Sequence, residues 1–329
     1  LKEIAPVPVT EVAAYGLRLR PVGSRRTFAP IAADLLRTIT LSPVARADLP
    51  PLPDSVPVAA WHRAAATPQG WQIDVVDAVP GGFQRCCSVV LSEDGTRLHV
   101  SDTYPDGAHD RWTVLTHVAI RSILARLGAP MLHGNLSLGP TGAVAVLGDS
   151  GAGKSSLAIA LMRAGAPPLA DDVVCPVRMA GGWYAWPGHH EILAEGPTLD
   201  RLGIDRTAWP TLWQNARPDE QKYRLTANRR PETVPDAARV PLAGIVVLEP
   251  RRPEPCRPTL HRLAPAAAMA AIVPHGQWGA AGSSRQARLA ELASLASEVP
   301  IWRLSRSDRI EDLAATAELV LGTIGDARI

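Results

Sequence analysis

The stretch "AVAVLGDSGAGKSSLAIALMRAG", residues 143 to 165, holds the residue types best suited to chemistry. Gly148, Gly153, Lys154 and Ser155 satisfy the pattern G-x-x-x-x-G-K-[ST]. Glycines let the backbone turn so that successive N–H groups converge on phosphate oxygens, and the following helix adds the positive end of its dipole. A lysine at this place reaches the outer phosphates, and the next hydroxyl holds a magnesium ion. Gly148, Asp149, Ser150, Gly151, Ala152, Gly153, Lys154, Ser155 and Ser156 are therefore the expected nucleotide site, with ATP and Mg²⁺ (Mg2+) as its ligands. Such a loop fixes where phosphate sits but not where it goes, whether to water or to a hydroxyl.

The stretch "PLADDVV" bears on that choice. Asp171 and Asp172 stand side by side at the start of an expected buried strand, where paired carboxylates are costly unless a cation or a proton transfer needs them. Strand alternation would point them to opposite faces and give them different tasks. One would meet an incoming hydroxyl and the other would join the metal shell. Lysine usage adds a further clue. Of 34 basic residues only Lys2, Lys154 and Lys222 are lysines, so a retained lysine marks a place where a guanidinium does not serve. Lys222 and Arg224, in "DEQKYRL", are candidates for a second cationic contact, on phosphate or on a peptide carboxylate. Trp183, Trp186, Trp209 and Trp213 are default packing residues that could also line a peptide groove.

These residues need a scaffold. "YGLRLRP", "WQIDVV" and "RCCSVVLSEDGTRLHVSDT" alternate as strands and predict a small antiparallel β domain over residues 1–125. The proline-rich run 40–61 reads as an irregular connection and 110–128 as a helix. Residues 126–329 alternate strands and helices, which predicts an α/β domain. Two strands meet at Gly139-Pro140-Thr141-Gly142 and lead into the loop and its helix. A hairpin turns at Ala180-Gly181-Gly182, and the polar segment 214–241 reads as a long mobile loop. A buried strand near 242–250, two helices, the strand "VPIWRLSR" and a closing helix capped by Asp308 complete the pattern.

The bulk composition narrows the partners. With 34 basic and 32 acidic residues the net charge of +2 gives no general attraction to nucleic acid or membrane, and neither is an expected partner. No apolar run reaches the ~18 to 20 residues of a membrane span. The opening "LKEIAPVPVTEVAAYG" has no signal-peptide core. The four cysteines, at 86, 87, 175 and 256, show neither zinc nor disulfide spacing, so a cytoplasmic location is expected.

The combination "MLHGNLSL…AVAVLGDSGAGKSSLAIALMRAGAPPLADDVV" resembles the core of the HPr kinase/phosphorylase family, which joins a His-Gly strand, a G-D-S-G-x-G-K-S loop and an A-D-D strand. The resemblance implies a P-loop kinase domain of the HPr kinase/phosphoenolpyruvate carboxykinase type on a mixed sheet, preceded by a smaller β-rich domain. It implies Asp171 as the base that deprotonates an acceptor serine, Asp172 as its acidic neighbour and His133 as a histidine beside the centre. Glu191, in "HHEILAEGPTLDRLGI", stands where the family has a signature glutamate of the metal shell. The Arg-Gly-x-Gly continuation of that signature is missing, so neither the reverse, phosphate-removing reaction nor HPr itself is expected. The layout is more similar to family members of peptide natural-product clusters, including lasso-peptide pathways. Those phosphorylate a serine of a precursor peptide, and a precursor peptide is accordingly the expected partner. Relatives often assemble, so a homo-oligomer is a further expectation of the resemblance.

Residue types alone leave two other classes open. The Asp pair could activate water in an ATPase or nucleotide-driven scaffold, or the acceptor could be a small molecule in an enclosed pocket.

Overall fold

A computed structural model describes residues 12–14, 17–21, 37–44, 52–53, 62–79, 82–93, 97–101, 124, 129–211, 221–226, 239–277 and 285–326. The chain divides into two compact units, Leu1–Ile120 and Arg121–Ile329.

The first unit carries a seven-stranded sheet. Its strands are β1 (Val12–Ala14), β2 (Leu17–Pro21), β3 (Arg37–Val44), β4 (His62–Thr67), β5 (Gly70–Val79), β6 (Gly82–Leu91) and β7 (Arg97–Ser101). The order is β1-β2-β3-β7-β6-β5-β4. The β4–β5–β6–β7 meander is antiparallel, as its alternation and turns predict. β1 and β2 are antiparallel too, and the departure from the expected antiparallel domain is confined to β3, which pairs parallel with both β2 and β7. Alternation encodes which face is buried but not the direction of the neighbouring strand. The proline-rich run also begins later than expected. Thr40 to Val44 belong to β3, and Pro43 lies past the end of the β2 pairing, where only β7 runs alongside and a missing N–H is tolerated. Ile73, Val89, Val90 and Leu91 are buried, and the buried Asp74 carboxylate accepts from Leu52 N (2.6 Å), Gln72 Nε2 (2.8 Å) and Ser88 Oγ (2.6 Å). The helix expected over 110–128 lies outside the described residues except for buried, helical Leu124.

The second unit is α/β. Its strands are β8 (Gly134–Leu138), β9 (Ala143–Leu147), β10 (Pro168–Ala170), β11 (Cys175–Met179), β12 (Gly182–Trp186), β13 (Glu191–Glu195), β14 (Lys222–Thr226), β15 (Val240–Leu248), β16 (Thr259–Arg262) and β17 (Ile301–Ser305). Its helices are α1 (Lys154–Arg163), α2 (Gly196–Arg201), α3 (Pro265–Ile272), α4 (Arg285–Glu298) and α5 (Leu313–Asp326). An eight-stranded mixed sheet runs β10-β8-β9-β15-β12-β11, with β17 also on β15 and β16 on β17. At its centre β9, β15 and β17 are mutually parallel, so their carboxyl ends open side by side. That is the edge of an open α/β sheet where ligands bind.

Helix α1 holds this edge in place from two faces. Leu157 and Leu161 join Val144, Val146, Val246 and Leu304 of the sheet together with Ala317 and Val320 of α5. Ala158 and Ile159 join Ile192 and Ala194 of β13, Leu199 of α2 and Leu225 of β14. The β13–β14 ribbon is a separate two-stranded sheet clamped on α1. It corrects the expected loop over 214–241: Lys222–Thr226 is a strand, with Leu225 as its one fully buried side chain. Its polar exposed face hides the period from the sequence. The groove expected from tryptophans is not supported for Trp183 and Trp186, which lie buried in β12, and Trp213 is outside the described residues.

Candidate active site

The loop between β9 and α1 has the shape that its glycines allow. Gly151 (φ 75°) and Gly153 (φ 92°) take left-handed conformations that residues with a Cβ rarely adopt. Helix α1 begins directly after Gly153, with no side-chain cap on its first turn. Ser150, Gly151, Gly153, Lys154, Ser155 and Ser156 face a cavity of about 380 Å³. Gly148, Asp149 and Ala152 lie in the loop but not on that wall. Lys154 Nζ donates to the carbonyls of Gly148 (2.8 Å) and Asp149 (3.1 Å). Burial holds its pKa below the usual lysine range, against the opposing pull of Asp172, Asp171 and Asp149.

Opposite the loop the cavity contains both carboxylates. The structure corrects the expected strand here. β10 ends at Ala170, and Asp171–Asp172 form a bend in which Asp172 has φ 66°, the one positive φ of a non-glycine residue among those described. The bend replaces strand alternation, so both carboxylates face one cavity rather than opposite sides. Three donors hold Asp171. Asn135 Nδ2 (2.6 Å) and the Asp172 N–H (2.7 Å) reach Oδ1, and the Leu193 N–H (2.5 Å) reaches Oδ2. Burial, and next the Asp172 charge, push its pKa up to about 7 in spite of those donors.

Two of the supporting residues escape sequence reasoning. Asn135 stands on β8 and is buried, and nothing in its local pattern marks it. Leu193 acts through its backbone. It faces Arg224 across the ribbon, and both of its peptide groups point outward. Its N–H meets Asp171 while its carbonyl accepts Ser155 Oγ at 3.1 Å. One residue on the ribbon's edge thus ties the carboxylate to the first turn of α1.

His133 reaches the site, but beside Asp172 rather than Asp171. Its Nδ1 lies 3.2 Å from the Asp172 carbonyl and 4.0 Å from its carboxylate. Reciprocal Leu132–Val174 backbone bonds and a Gln277 Nε2 bond to the Asp172 carbonyl hold the bend against His133. Lys222 lines the cavity, opposite Glu195 on the ribbon. Glu191 and Arg224 do not. Arg224 donates to Glu191 Oε2 through Nε (3.0 Å) and Nη2 (2.9 Å), and Glu191 is 8% exposed. Glu191 is thereby occupied as an ion pair at the far end of the ribbon, which corrects its expected place in the metal shell. Arg224 is likewise withdrawn from the phosphate or peptide contact expected of it.

The third wall comes from the carboxyl ends of β15 and β17, through Arg251, Arg306, Ser307 and Asp308. Asp308 does not cap the closing helix. It accepts from Arg251 Nη1 at 2.5 Å and lies 3.5 Å from Arg201, while Ser307 bonds Asp312 at the helix start.

A magnesium ion takes hard oxygen ligands and keeps several waters, so one or two protein ligands beside phosphate suffice. The Ser155 hydroxyl and the Asp172 carboxylate, 27% exposed in the same cavity, fit that requirement. Among the described residues no group of three or more His, Cys, Asp or Glu gathers as an all-protein metal site.

No protein family matches this chain, and no curated protein matches it. One solved structure that it matches is the Hpr(Ser) kinase/phosphatase from Coxiella burnetii, at a TM-score of 0.29 and 13% identity over 59% of this chain and 97% of that one. The chemistry rests on the site's own geometry. No helix among the described residues is long and apolar enough to cross a membrane.

Proposed function

We propose that the protein is an ATP-dependent kinase that transfers the γ-phosphoryl group to a serine hydroxyl of a peptide. The observation that carries this reading is the placement of Asp171, a buried carboxylate aimed by three donors, across one cavity from the Lys154 loop. The loop N–H groups and Lys154 hold the triphosphate, and Lys154 exchanges its carbonyl partners for phosphate oxygens. Asp171 accepts the hydroxyl proton as the serine oxygen bonds to the γ-phosphorus and the bridge to the β-phosphate breaks, releasing ADP. Mg²⁺, held by Ser155 and Asp172 when bound, neutralises charge on the phosphates. Base catalysis of this kind contributes on the order of 10² to 10⁴ in rate.

The cavity's size favours a peptide over a small acceptor. About 380 Å³ is near the lower end of the roughly 300–1,000 Å³ of ligand clefts. A nucleotide fills it, and the acceptor enters from outside with one side chain. The acceptor we infer is a ribosomal precursor peptide of a lasso-type cluster, a reading supported by the resemblance of the His-Gly, loop and Asp-Asp motifs.

The reading is tested by intact-mass analysis of serine-bearing candidate peptides incubated with ATP and Mg²⁺. One added phosphate, absent with Asp171→Asn while ADP still binds, is the expected result. ADP release with every peptide mass unchanged overturns it in favour of hydrolysis.

A further inference from the structure

Lys222 is one of only three lysines in the chain, and it lines the cavity that holds the Lys154 loop and the two aspartates. The ribbon puts it there. In the antiparallel β13–β14 pair Glu191 faces Thr226, Leu193 faces Arg224 and Glu195 faces Lys222. Partners of such a pair share a face, and alternation sends their neighbours to the other one. Ile192, Ala194, Tyr223 and Leu225 form the face that packs on α1, so Glu195, Lys222 and Arg224 belong to the opposite face. There Arg224 is committed to Glu191, and Lys222 is the ribbon's cation on the cavity wall.

Two residues across the cavity feel its charge. Burial first, and then the Lys222 charge, hold the Lys154 pKa down. At Asp171 the same charge works against burial and Asp172, which raise the pKa. Lys222 therefore stands within electrostatic reach of the loop lysine and of the carboxylate opposite it. Two ammonium groups on one cavity repel each other, and an anion between them turns the repulsion into attraction. Residue type alone allows phosphate or a peptide carboxylate as that anion. A phosphoryl group in transfer passes from the loop toward Asp171 with negative charge on its three equatorial oxygens. A peptide carboxylate would instead add a third acid beside Asp171 and Asp172. The position of Lys222 favours phosphate.

We propose that the Lys222 ammonium contacts the γ-phosphoryl group from the ribbon side while Lys154 holds the same group from the loop. The ligand is the terminal phosphate of a nucleoside triphosphate, and the inference rests on the kinase reading for that donor. Lys222 takes neither proton nor electron pair as the bridge to the β-phosphate breaks and the bond to the acceptor oxygen forms. It neutralises charge on the equatorial oxygens throughout. A compact ammonium on a flexible stem follows the phosphorus from donor to acceptor, which a planar guanidinium fixed by paired bonds does less well. That requirement accounts for a lysine at 222 in a chain that otherwise relies on arginine.

The test measures binding of ADP and of a non-hydrolysable ATP analogue with an imido bridge between its β- and γ-phosphates, each with Mg²⁺. Calorimetry is run on the full chain, wild type and Lys222→Gln. ADP should bind the variant within about twofold of wild type, and the analogue at least about tenfold more weakly. Equal effects on the two ligands, small or large, overturn the inference and leave the kinase reading intact. Unchanged binding of both with a raised KM for peptide assigns Lys222 to the acceptor and overturns it as well. Failure of the wild type to bind either nucleotide overturns both readings, whereas hydrolysis without peptide phosphorylation overturns the kinase reading alone. A readout on the unaltered protein covers a variant that does not fold. Isotope labelling of lysine carbons gives three Cε signals, one for each lysine. One of them should move with the analogue and stay in place with ADP, and Lys222→Arg assigns it. No such signal overturns the contact.

Discussion

Asn135 and Asp171 are 36 residues apart in sequence, and a 2.6 Å hydrogen bond joins the Asn135 amide to the Asp171 carboxylate. A neutral donor on a charged acceptor favours the ionised form, so its removal raises the pKa of the acid. Asn135→Ala should therefore move the ascending limb of kcat/KM upward by roughly one pH unit. A profile that drops uniformly with an unmoved limb would show that Asn135 only shapes the fold.

The same carboxyl links stability to pH. Its folded pKa, about 7, lies above the ~3.9 of an unfolded aspartate. The native protein thus keeps a proton that the unfolded chain has lost, and stability from this group falls as pH rises from about 4 to about 7. Denaturant unfolding of metal-free wild type and Asp171→Asn at pH 5 and pH 8 checks this. The variant should gain relative to wild type at pH 8, and parallel behaviour would contradict the assigned proton.

Asp172 invites a test in which stability and activity move in opposite directions. Its left-handed backbone costs a residue with a Cβ about 1 kcal/mol, which glycine avoids. Asp172→Gly also removes the charge facing Asp171. The variant should melt higher at pH 8 and yet lose most Mg²⁺-dependent transfer. If it melts lower, the His133 contact outweighs the backbone cost.

How far the sequence disclosed this site depends on how each residue acts. The turn from β9 into α1 was legible because its residues are contiguous, with each glycine, lysine and serine at a fixed offset. Asp171 was legible as a residue but not in its geometry, since a bend rather than a strand aims it. Asn135 and Arg306 reach the site from β8 and β17, so their roles come from sheet order and not from any local pattern. Glu191 misled for the opposite reason. Its position matched a motif, while its partner Arg224, on the adjacent strand of the ribbon, decided its role. The fold was read well where periodicity decides it, as in the β8–β9 pair and α1, and poorly where pairing direction does, as at β2–β3–β7.

That ion pair yields its own prediction. Glu191→Ala strands the half-buried Arg224 charge and should cost about 2–3 kcal/mol in denaturant unfolding. Turnover per folded molecule should stay within about threefold of wild type, since neither side chain lines the cavity. A selective loss of Mg²⁺ dependence in folded protein would return Glu191 to the metal shell.

Gly153→Ala places a methyl against Arg306 and imposes a φ of 92° on alanine. Nucleotide affinity should fall at least about tenfold, a loss of about 1.4 kcal/mol. Titration calorimetry with ADP gives the answer, and an unchanged affinity would mean that the loop yields freely.

Leu193 serves the carboxylate with a peptide N–H and Ser155 with a peptide carbonyl, so its side chain takes no part in either bond. Every amino acid except proline supplies both groups. The alignment of the Asp171 carboxylate is therefore written into main-chain geometry, out of reach of most point mutations at that position. Side chains along the ribbon can change over evolutionary time, or be exchanged by grafting, while the Asp171 carboxylate keeps its bearings.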